Sequence, residues 1–423
     1  MKKSKFILIF VSLIFLLNKN SHSQLKVDIA GVGTNQIPIS VARFNFESFS
    51  GLSISEVIRS DLTRSGLFRL VDNNKTIKNF NIDYSIWKSK GIEALVIGNI
   101  KNKKNNIYEI NYKIFDIVNA NEISNSSITT ELKFIRFAAH KISDDIFEKM
   151  TGIKGAFSSK IAYISKLDKK YQLNVADSDG KNPFTILEST EPLISPTWSP
   201  DGDKIAYVSF ENKRKPIIFV QNLTNKKRFL VSNFKGNNSA PAWSPDGKRL
   251  AVALSIDGYT QIYTLNINGS NLKKLTSSRS INTEPCFSPD GKTIYFTSDR
   301  GGSPQIYRID LNGNDIKRLT FNGNYNTSPV ISPNGKTLAF ISRRSGKFQL
   351  YSMNLFSLEE LLLSKSSTNE SPSFAPNSRY ILYSTDKNGQ KKLEVTSIDG
   401  NSRYTLSADS ETIREPDWGP FRK

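Results

Sequence analysis

The second half of the chain repeats one pattern of polar and apolar positions. A proline is followed by a short apolar stretch, a polar turn of the type Ser-Pro-Asp-Gly, and a run of β-branched and aromatic residues. Proline and glycine at those turn positions favour a tight β-turn, and the apolar run favours a buried strand. Leading prolines 45, 44, 44, 43 and 44 residues apart mark six copies: Pro196, Pro241, Pro285, Pro329, Pro372 and Pro416.

Each full repeat has room for four strands. After the apolar run, a third strand such as 261–267 leads into a second turn that carries Asn268-Gly269. A fourth strand begins near Lys273. Four antiparallel strands in about 40–45 residues is the size of one β-propeller blade. The repeat therefore predicts a mainly β fold built around a propeller.

The two ends of the repeat region complement each other. Residues 160–190 contain three strand-like runs with no proline anchor before them, whereas the anchor at Pro416 has no strands after it. Together they make one blade, and the sequence predicts a six-bladed β-propeller closed by its own chain ends. Closure removes the unpaired strand edges that an open array would expose. An open β-solenoid is the alternative, although its repeats are usually shorter.

Residues 24–150 carry no repeat and predict a small α/β domain in front of the propeller. Apolar residues at helical spacing follow Ser53, a suitable N-cap, and Gly66 ends that helix. A second helical pattern precedes a glycine-containing stretch, which is the expected linker. The predicted elements are strands at 37–44, 67–71, 94–98 and 108–118 and helices at 54–65 and 131–150.

The first 23 residues have the layout of a secretory signal peptide. Lys2, Lys3 and Lys5 precede an apolar run from Phe6 to Leu17, and small residues stand near Ser23. The apolar run is shorter than the roughly 20 residues that a spanning helix needs. An uncleaved anchor is the alternative. The expected organisation is a signal peptide at 1–23, an α/β domain at 24–150, a linker at 151–157 and a propeller at 158–423.

The predicted mature chain begins with an alternating segment. Leu25, Val27 and Ile29 are separated by polar residues. Such a segment can add as a strand to the sheet edge of a partner. An ordinary first strand of the α/β domain explains the same alternation, and the residues alone leave both interpretations open.

The chain is strongly basic. Its formal net charge is +19, and removing residues 1–23 takes away four lysines and no acid, which leaves +15. This charge suits an anionic surface or an acidic partner. Scattered lysines without a block of like charge also fit a simple compositional bias. No nucleic-acid-binding motif accompanies the charge.

Few residues are suited to catalysis. The histidines are His22, inside the predicted signal peptide, and His140, inside a predicted helix, and the one cysteine is Cys286. A Ser-His-Asp triad cannot be built in the propeller, a zinc site lacks ligands, and no phosphate-binding or dinucleotide motif is present. The sequence predicts a non-enzymatic protein without a cofactor or metal. A calcium-dependent propeller hydrolase that uses channel carboxylates is the alternative.

One mouth of the central channel is the expected partner-binding site. The innermost strand of each blade lines the channel, so residues just before each anchor should lie near one mouth. Four carboxylates among them suit a polar or basic partner segment or a cation, and a role in capping strands explains them equally well. The candidate residues are Glu191, Asn237, Ala240, Thr283, Glu284, Thr327, Glu370 and Glu415.

Over essentially its whole mature length the chain resembles the TolB family of periplasmic Tol-Pal components. Ser-Pro-Asp-Gly repeats alone would be weak support, because many propellers share them. Their combination with the first domain and an export signal is much more specific. The segments that carry the resemblance most strongly are 37–44, 58–68, 87–98 and 139–152.

The resemblance implies a monomeric periplasmic scaffold with two main partners. The lipoprotein Pal is expected at the channel mouth, where Asn237, Ala240 and Thr283 fall at Pal-contacting positions of the family. The best-known members carry histidine at the position of Asn237. The inner-membrane protein TolA is expected at the N-terminal segment. Other outer-membrane proteins as partners, outer-membrane integrity, constriction during cell division and bacteriocin import are further implications.

Overall fold

The computed structural model describes residues 26–29, 36–45, 53–71, 76–77, 82–103, 105–212, 214–387, 389–407 and 412–422. The predicted signal peptide and Leu25 lie outside these ranges. Within them, no helix combines the length and the apolar character needed to cross a bilayer.

A short strand, β1, lies near the start of the chain, and the α/β domain follows it. The domain has a five-stranded sheet in the order β3-β2-β4-β5-β6, in which β2 runs parallel to both of its neighbours. The bounds are β1 (Lys26–Ile29), β2 (Ile37–Val41), α1 (Ile54–Ser65), β3 (Phe68–Leu70), α2 (Tyr84–Ser89), β4 (Ala94–Asn102), β5 (Ile107–Asp116), β6 (Asn121–Glu131) and α3 (Ile135–Thr151).

Both faces of this sheet are buried, which explains the continuous apolar run in β4. Ala94 and Val96 pack in the core that contains α1 and α3, whereas Leu95 and Ile97 pack in a second core beside α2. The predicted helix at 131–150 begins only at Ile135, after a 3₁₀ turn. Strand β6 and helix α2 were not predicted.

Six antiparallel sheets surround a central channel in the described part of the chain, which confirms the predicted six-bladed propeller. The strands of blade 1 are β7 (Lys160–Leu167), β8 (Lys170–Asp177), β9 (Phe184–Ser189) and the last strand, β30 (Thr412–Trp418). Blade 2 has β10 (Leu193–Trp198), β11 (Lys204–Asn212), β12 (Lys215–Asn222) and β13 (Arg228–Ser232). Blade 3 has β14 (Asn238–Trp243), β15 (Arg249–Leu254), β16 (Gln261–Asn266) and β17 (Lys273–Lys274).

The other three blades follow the same order from the channel outwards. Blade 4 has β18 (Asn282–Phe287), β19 (Thr293–Ser298), β20 (Gln305–Asp310) and β21 (Lys317–Arg318). Blade 5 has β22 (Tyr325–Ile331), β23 (Thr337–Arg344), β24 (Lys347–Asn354) and β25 (Glu360–Leu362). Blade 6 has β26 (Asn369–Phe374), β27 (Tyr380–Lys387), β28 (Gln390–Ser397) and β29 (Arg403–Ser407).

The last strand of the chain closes the ring. Strand β30 is the innermost strand of blade 1 and pairs antiparallel with β7, with Ile413 opposite Ser165 and Trp418 opposite Ile161. Ile413 is fully buried and Trp418 is nearly so, and both pack in a core shared with blade 6. The complementary chain ends therefore form one blade, as predicted.

Strand β1 belongs to the propeller and not to the α/β domain. It pairs antiparallel with β29, the outermost strand of blade 6, so that Val27 lies opposite Leu406 and Ile29 opposite Tyr404. The interpretation of this segment as the first strand of the α/β domain is therefore wrong. Blade 6 gains a fifth strand from the start of the chain.

Candidate functional site

Six left-handed residues form a ring in the channel wall. Each stands directly before an anchor proline, has φ between 48° and 55°, and falls where the register between the two innermost strands shifts. Such β-bulges re-aim side chains next to binding sites. The ring residues are Ser195, Ala240, Glu284, Ser328, Ser371 and Glu415, and they line a channel cavity of about 440 Å³.

Two carboxylates of this ring join neighbouring blades. Glu284 in blade 4 accepts hydrogen bonds from the backbone nitrogen of Ser328 (2.8 Å) and its hydroxyl (2.9 Å) in blade 5. Glu415 in blade 1 accepts one from the backbone nitrogen of Ser195 in blade 2 (2.5 Å), and burial raises the pKa of Glu415. These two acids therefore already have partners inside the ring.

A third acid, Asp417, also joins neighbouring blades through hydrogen bonds, two residues further along β30 than Glu415. It accepts hydrogen bonds from the backbone nitrogen of Trp198 (2.7 Å) and from the Ser373 hydroxyl (2.6 Å), which belong to the two neighbouring blades. Burial raises its pKa to about 6. The sequence analysis missed Asp417, although it stands next to the last anchor proline.

The predicted mouth residues lie at one end of the channel, on three levels. Ala240, Glu284 and Glu415 are in the ring of left-handed residues. Thr283, Thr327 and Glu370 occupy the equivalent position just before the ring in blades 4, 5 and 6. Asn237 and Glu191 stand in the segments that lead into the innermost strands of blades 3 and 2.

The outer carboxylates of this group are paired with basic side chains. Glu370 lies 2.6 Å from the Lys391 ammonium, and Glu191 lies 3.8 Å from the Arg214 guanidinium. Asn237 is held by two serines, since its backbone nitrogen donates to Ser255 and its side chain to Ser239, both at 2.7 Å. The half-buried Thr283 and Thr327 present hydroxyl groups between these pairs.

A buried ion cluster joins the α/β domain to the propeller. Asp61 on α1 lies 2.6 Å from Nδ1 of His140 on α3 and 2.9 Å from Arg64. Arg64 is 3.6 Å from Asp179 in blade 1, and Arg136 also bonds Asp179. All of these side chains except that of Arg136 are at least 95% buried. Polar residues of α1 and α3 are thus covered by the propeller.

Aromatic and backbone contacts surround this cluster. The Arg64 guanidinium stacks on the rings of Tyr404 in blade 6 and Phe157 in the predicted linker. The Tyr380 hydroxyl donates to the carbonyl of Ser65 at the end of α1 (2.9 Å). The next residue, Gly66, has φ +76°, and a Cβ there would lie 2.5 Å from Ser402. This close approach of the two domains requires glycine.

The cluster is arranged as an ion network. Asp61, His140 and Asp179 are close enough together to hold an ion, but both carboxylates already face guanidinium groups. Burial lowers the pKa of His140, the carboxylates of Asp61 and Asp179 outweigh that effect, and the net pKa is raised. The raised pKa favours the imidazolium over the neutral imidazole that binds metal ions.

Cys286 and His140 could in principle act as a nucleophile and a base, but their surroundings do not suit either role. Burial raises the pKa of the Cys286 thiol to about 11, which keeps it protonated and unreactive near neutral pH. His140 is engaged with Asp61 between the domains, outside the channel. The arrangement at the mouth suits binding: rigid backbone, hydroxyl groups and charged side chains around an opening.

Comparisons with known proteins agree with this architecture. A family model described as the TolB beta propeller domain matches residues 147–422, and one described as the TolB amino-terminal domain matches residues 25–123. A Bordetella pertussis protein called Tol-Pal system protein TolB is 47% identical over 408 residues, which cover 95% of this chain and 92% of that protein.

A second relative and a solved structure match the chain over a similar extent. The Dechloromonas aromatica protein of the same name is 48% identical over 415 residues, 98% of this chain and 97% of that protein. The crystal structure of TolB from Acinetobacter baumannii superposes with a TM-score of 0.88 at 36% identity, covering 94% of this chain and all of that one. The chain belongs to the TolB family of Tol-Pal system proteins.

Proposed function

We propose that this protein is a periplasmic scaffold of the Tol-Pal system that holds Pal and TolA at two separate surfaces. Pal docks at the channel mouth, and TolA engages the N-terminal segment. Through these contacts the protein helps to keep the outer membrane attached during constriction at cell division. Other outer-membrane proteins and imported bacteriocins are further partners of the same scaffold.

The observation that carries this proposal is the separation of two bindable features on one rigid ring. Asn237, Thr283 and Thr327 come from three consecutive blades and stand at or next to the starts of their innermost strands, at the same end of the channel. Strand β1 lies instead on the outer edge of blade 6, attached through strand pairing with β29 alone among the described sheets. A sheet edge is a site for strand exchange.

Replacing Thr283 by arginine should weaken Pal binding by about tenfold or more, equivalent to about 1.4 kcal/mol. The longer side chain would fill the space between blades 3 and 5 that a partner must occupy. The measurement is a calorimetric titration with the lipid-free domain of Pal. Thr293→Arg is the matched control, because Thr293 begins the next strand of the same blade at the far end of the channel. Equal affinity of both variants would exclude Thr283 from the site.

Removing residues 24–33 should abolish TolA capture and leave Pal capture intact. Blade 6 would return to the four strands that the other blades have, so the ring should keep its melting temperature. Pull-downs with the periplasmic domain of TolA and with Pal measure both activities. A control chain that carries Gly-Ser repeats in place of residues 24–33 shows whether TolA capture depends on the length of this segment or on its sequence. Loss of both activities would mean that the segment is structural.

A further inference from the structure

Six basic side chains border the channel mouth on blades 3–6. They stand on the segments that enter the innermost strands, or in or next to the turns between the second and third strands. In the described part of the chain, none of the six lies within 4 Å of a carboxylate oxygen. We name this group the basic arc: Lys235, Arg279, Arg300, Arg343, Lys347 and Lys365.

The acids on the same segments are already engaged. Asp257 lies 2.9 Å from the ammonium of Lys274, which belongs to β17 outside the arc. Asp299 accepts a hydrogen bond from the backbone nitrogen of Ile281 (2.8 Å). The charge of Asp257 is thus neutralised outside the arc, whereas the carboxylate of Asp299 offsets part of the positive charge of its neighbour Arg300.

Arg300 is fixed in place without an ion-pair partner. Its guanidinium donates to Ser298 Oγ (3.0 Å) and to Asn282 Oδ1 (2.8 Å), and it stacks on Phe296 and Tyr307. Both acceptors are neutral. A half-buried cation that is held rigid by neutral groups remains available to a carboxylate of a partner.

Three cations at the same end of blades 1 and 6 are paired. Lys170 lies 2.6 Å from Glu188, and Lys391 lies 2.6 Å from Glu370. Lys387 lies 2.7 Å from Glu394. These three cations therefore carry less uncompensated charge than those of the arc.

Exposed apolar side chains accompany the arc. Ile281 is 53% exposed, Tyr259 is 50% exposed and Tyr325 is 37% exposed, and each stands beside one of its basic segments. Tyrosine and arginine around a recessed opening are typical of a protein–protein interface. A flat membrane surface would not reach the threonines inside the mouth.

We infer that the protein partner docking at this mouth presents an acidic face, with aspartate and glutamate side chains opposite the basic arc. This inference rests on the proposed function and names the chemistry of the partner at that site. Rim charges of this kind act mainly on the association rate and make it depend on salt.

The test compares association rates of the lipid-free Pal domain with three forms of the full chain. The arc variant is Arg279→Glu combined with Lys365→Glu. The control variant is Lys292→Glu combined with Lys336→Glu, which reverses two exposed lysines in turns at the other end of the channel. The arc variant should associate about tenfold more slowly at low salt, and the difference should shrink at high salt. The control should match the unmodified chain.

The outcomes distinguish this inference from the proposed function. If Thr283→Arg weakens Pal binding but the arc variant behaves like the control, Pal docks at the mouth and the acidic-face inference is wrong. If the unmodified chain does not bind Pal at all, both are wrong. If the arc variant loses binding to phosphatidylglycerol vesicles while its Pal association is unchanged, the arc serves a lipid surface and the inference is overturned.

Discussion

Deletion of residues 413–423 should open the propeller and lower its melting temperature by about 10 °C or more. The deletion removes most of β30, together with the buried side chains of Ile413 and Trp418. Their loss forfeits on the order of 5 kcal/mol of apolar burial, and each kcal/mol shifts the melting temperature of a domain of this size by roughly 2–4 °C. Ser195 and Trp198 also lose the carboxylates that accept from their backbone nitrogens. Thermal unfolding followed by circular dichroism measures the effect.

A shorter deletion is the matched control. Removing residues 419–423 keeps β30 but deletes Phe421 and Arg422, whose contacts are with Lys154 and with Phe137 and Lys141 of the first domain. This loss should be clearly smaller. If the longer deletion fails to fold, Trp418→Ala in the full chain should still cost about 3–5 kcal/mol. A truncated chain that melts like the full chain would show that closure contributes no stability.

The number and closure of the blades could be predicted because both follow from local chemistry. The Ser-Pro-Asp-Gly turns fix where one strand ends and the next begins. Counting the anchor prolines from Pro196 to Pro416 then counts the blades. The ends of the repeat region are complementary: 160–190 has strands but no anchor, and Pro416 is an anchor with no strands after it. Ring closure is the simplest arrangement that joins them.

The left-handed ring could not be predicted from the same repeats. Serine, alanine and glutamate occupy its positions, and residues other than glycine seldom adopt positive φ. The residue before a proline also favours an extended backbone. Only the register of the folded blades reveals that Glu284 and Glu415 are turned toward neighbouring blades. Their internal hydrogen bonds could therefore not be anticipated from the spacing of carboxylates.

Two further features depend on contacts between distant parts of the chain. The alternation in 25–30 predicts a strand. It does not predict which strand it pairs with, because the pairing with the outer edge of blade 6 is made by backbone atoms that every residue has. The helical spacing of α1 places Asp61 on its apolar face, seven residues after Ile54, and Arg64 at the edge of that face. This position signals that both charged side chains are buried. It does not reveal that His140 and Asp179, from distant parts of the chain, contact them.

Replacing Asp61 by asparagine should destabilise the folded chain by about 3 kcal/mol, because breaking one partner of a buried ion pair leaves an uncompensated charge. Asp61 is fully buried, and the variant removes the carboxylate that both Arg64 and His140 contact. Denaturant unfolding at pH 6 measures the loss. Glu56→Gln is the control, since it makes the same chemical change at an exposed position of the same helix, where Glu56 pairs with Arg59.

The size of this effect should depend on pH in a defined direction. The folded-state pKa of His140 is raised above its ordinary value of 6.5, so the stabilisation from its protonated form is complete below that value and is lost as the pH rises through the folded-state pKa. The difference in free energy of unfolding between the unmodified chain and Asp61→Asn should therefore narrow with increasing pH. Part of it should remain at all pH values, because Arg64 stays charged and loses its contact with Asp61 in the variant. An effect of Asp61→Asn no larger than that of Glu56→Gln would show that the cluster gives no net stability. A difference that widened with pH would show that Asp61 does not raise the pKa of His140.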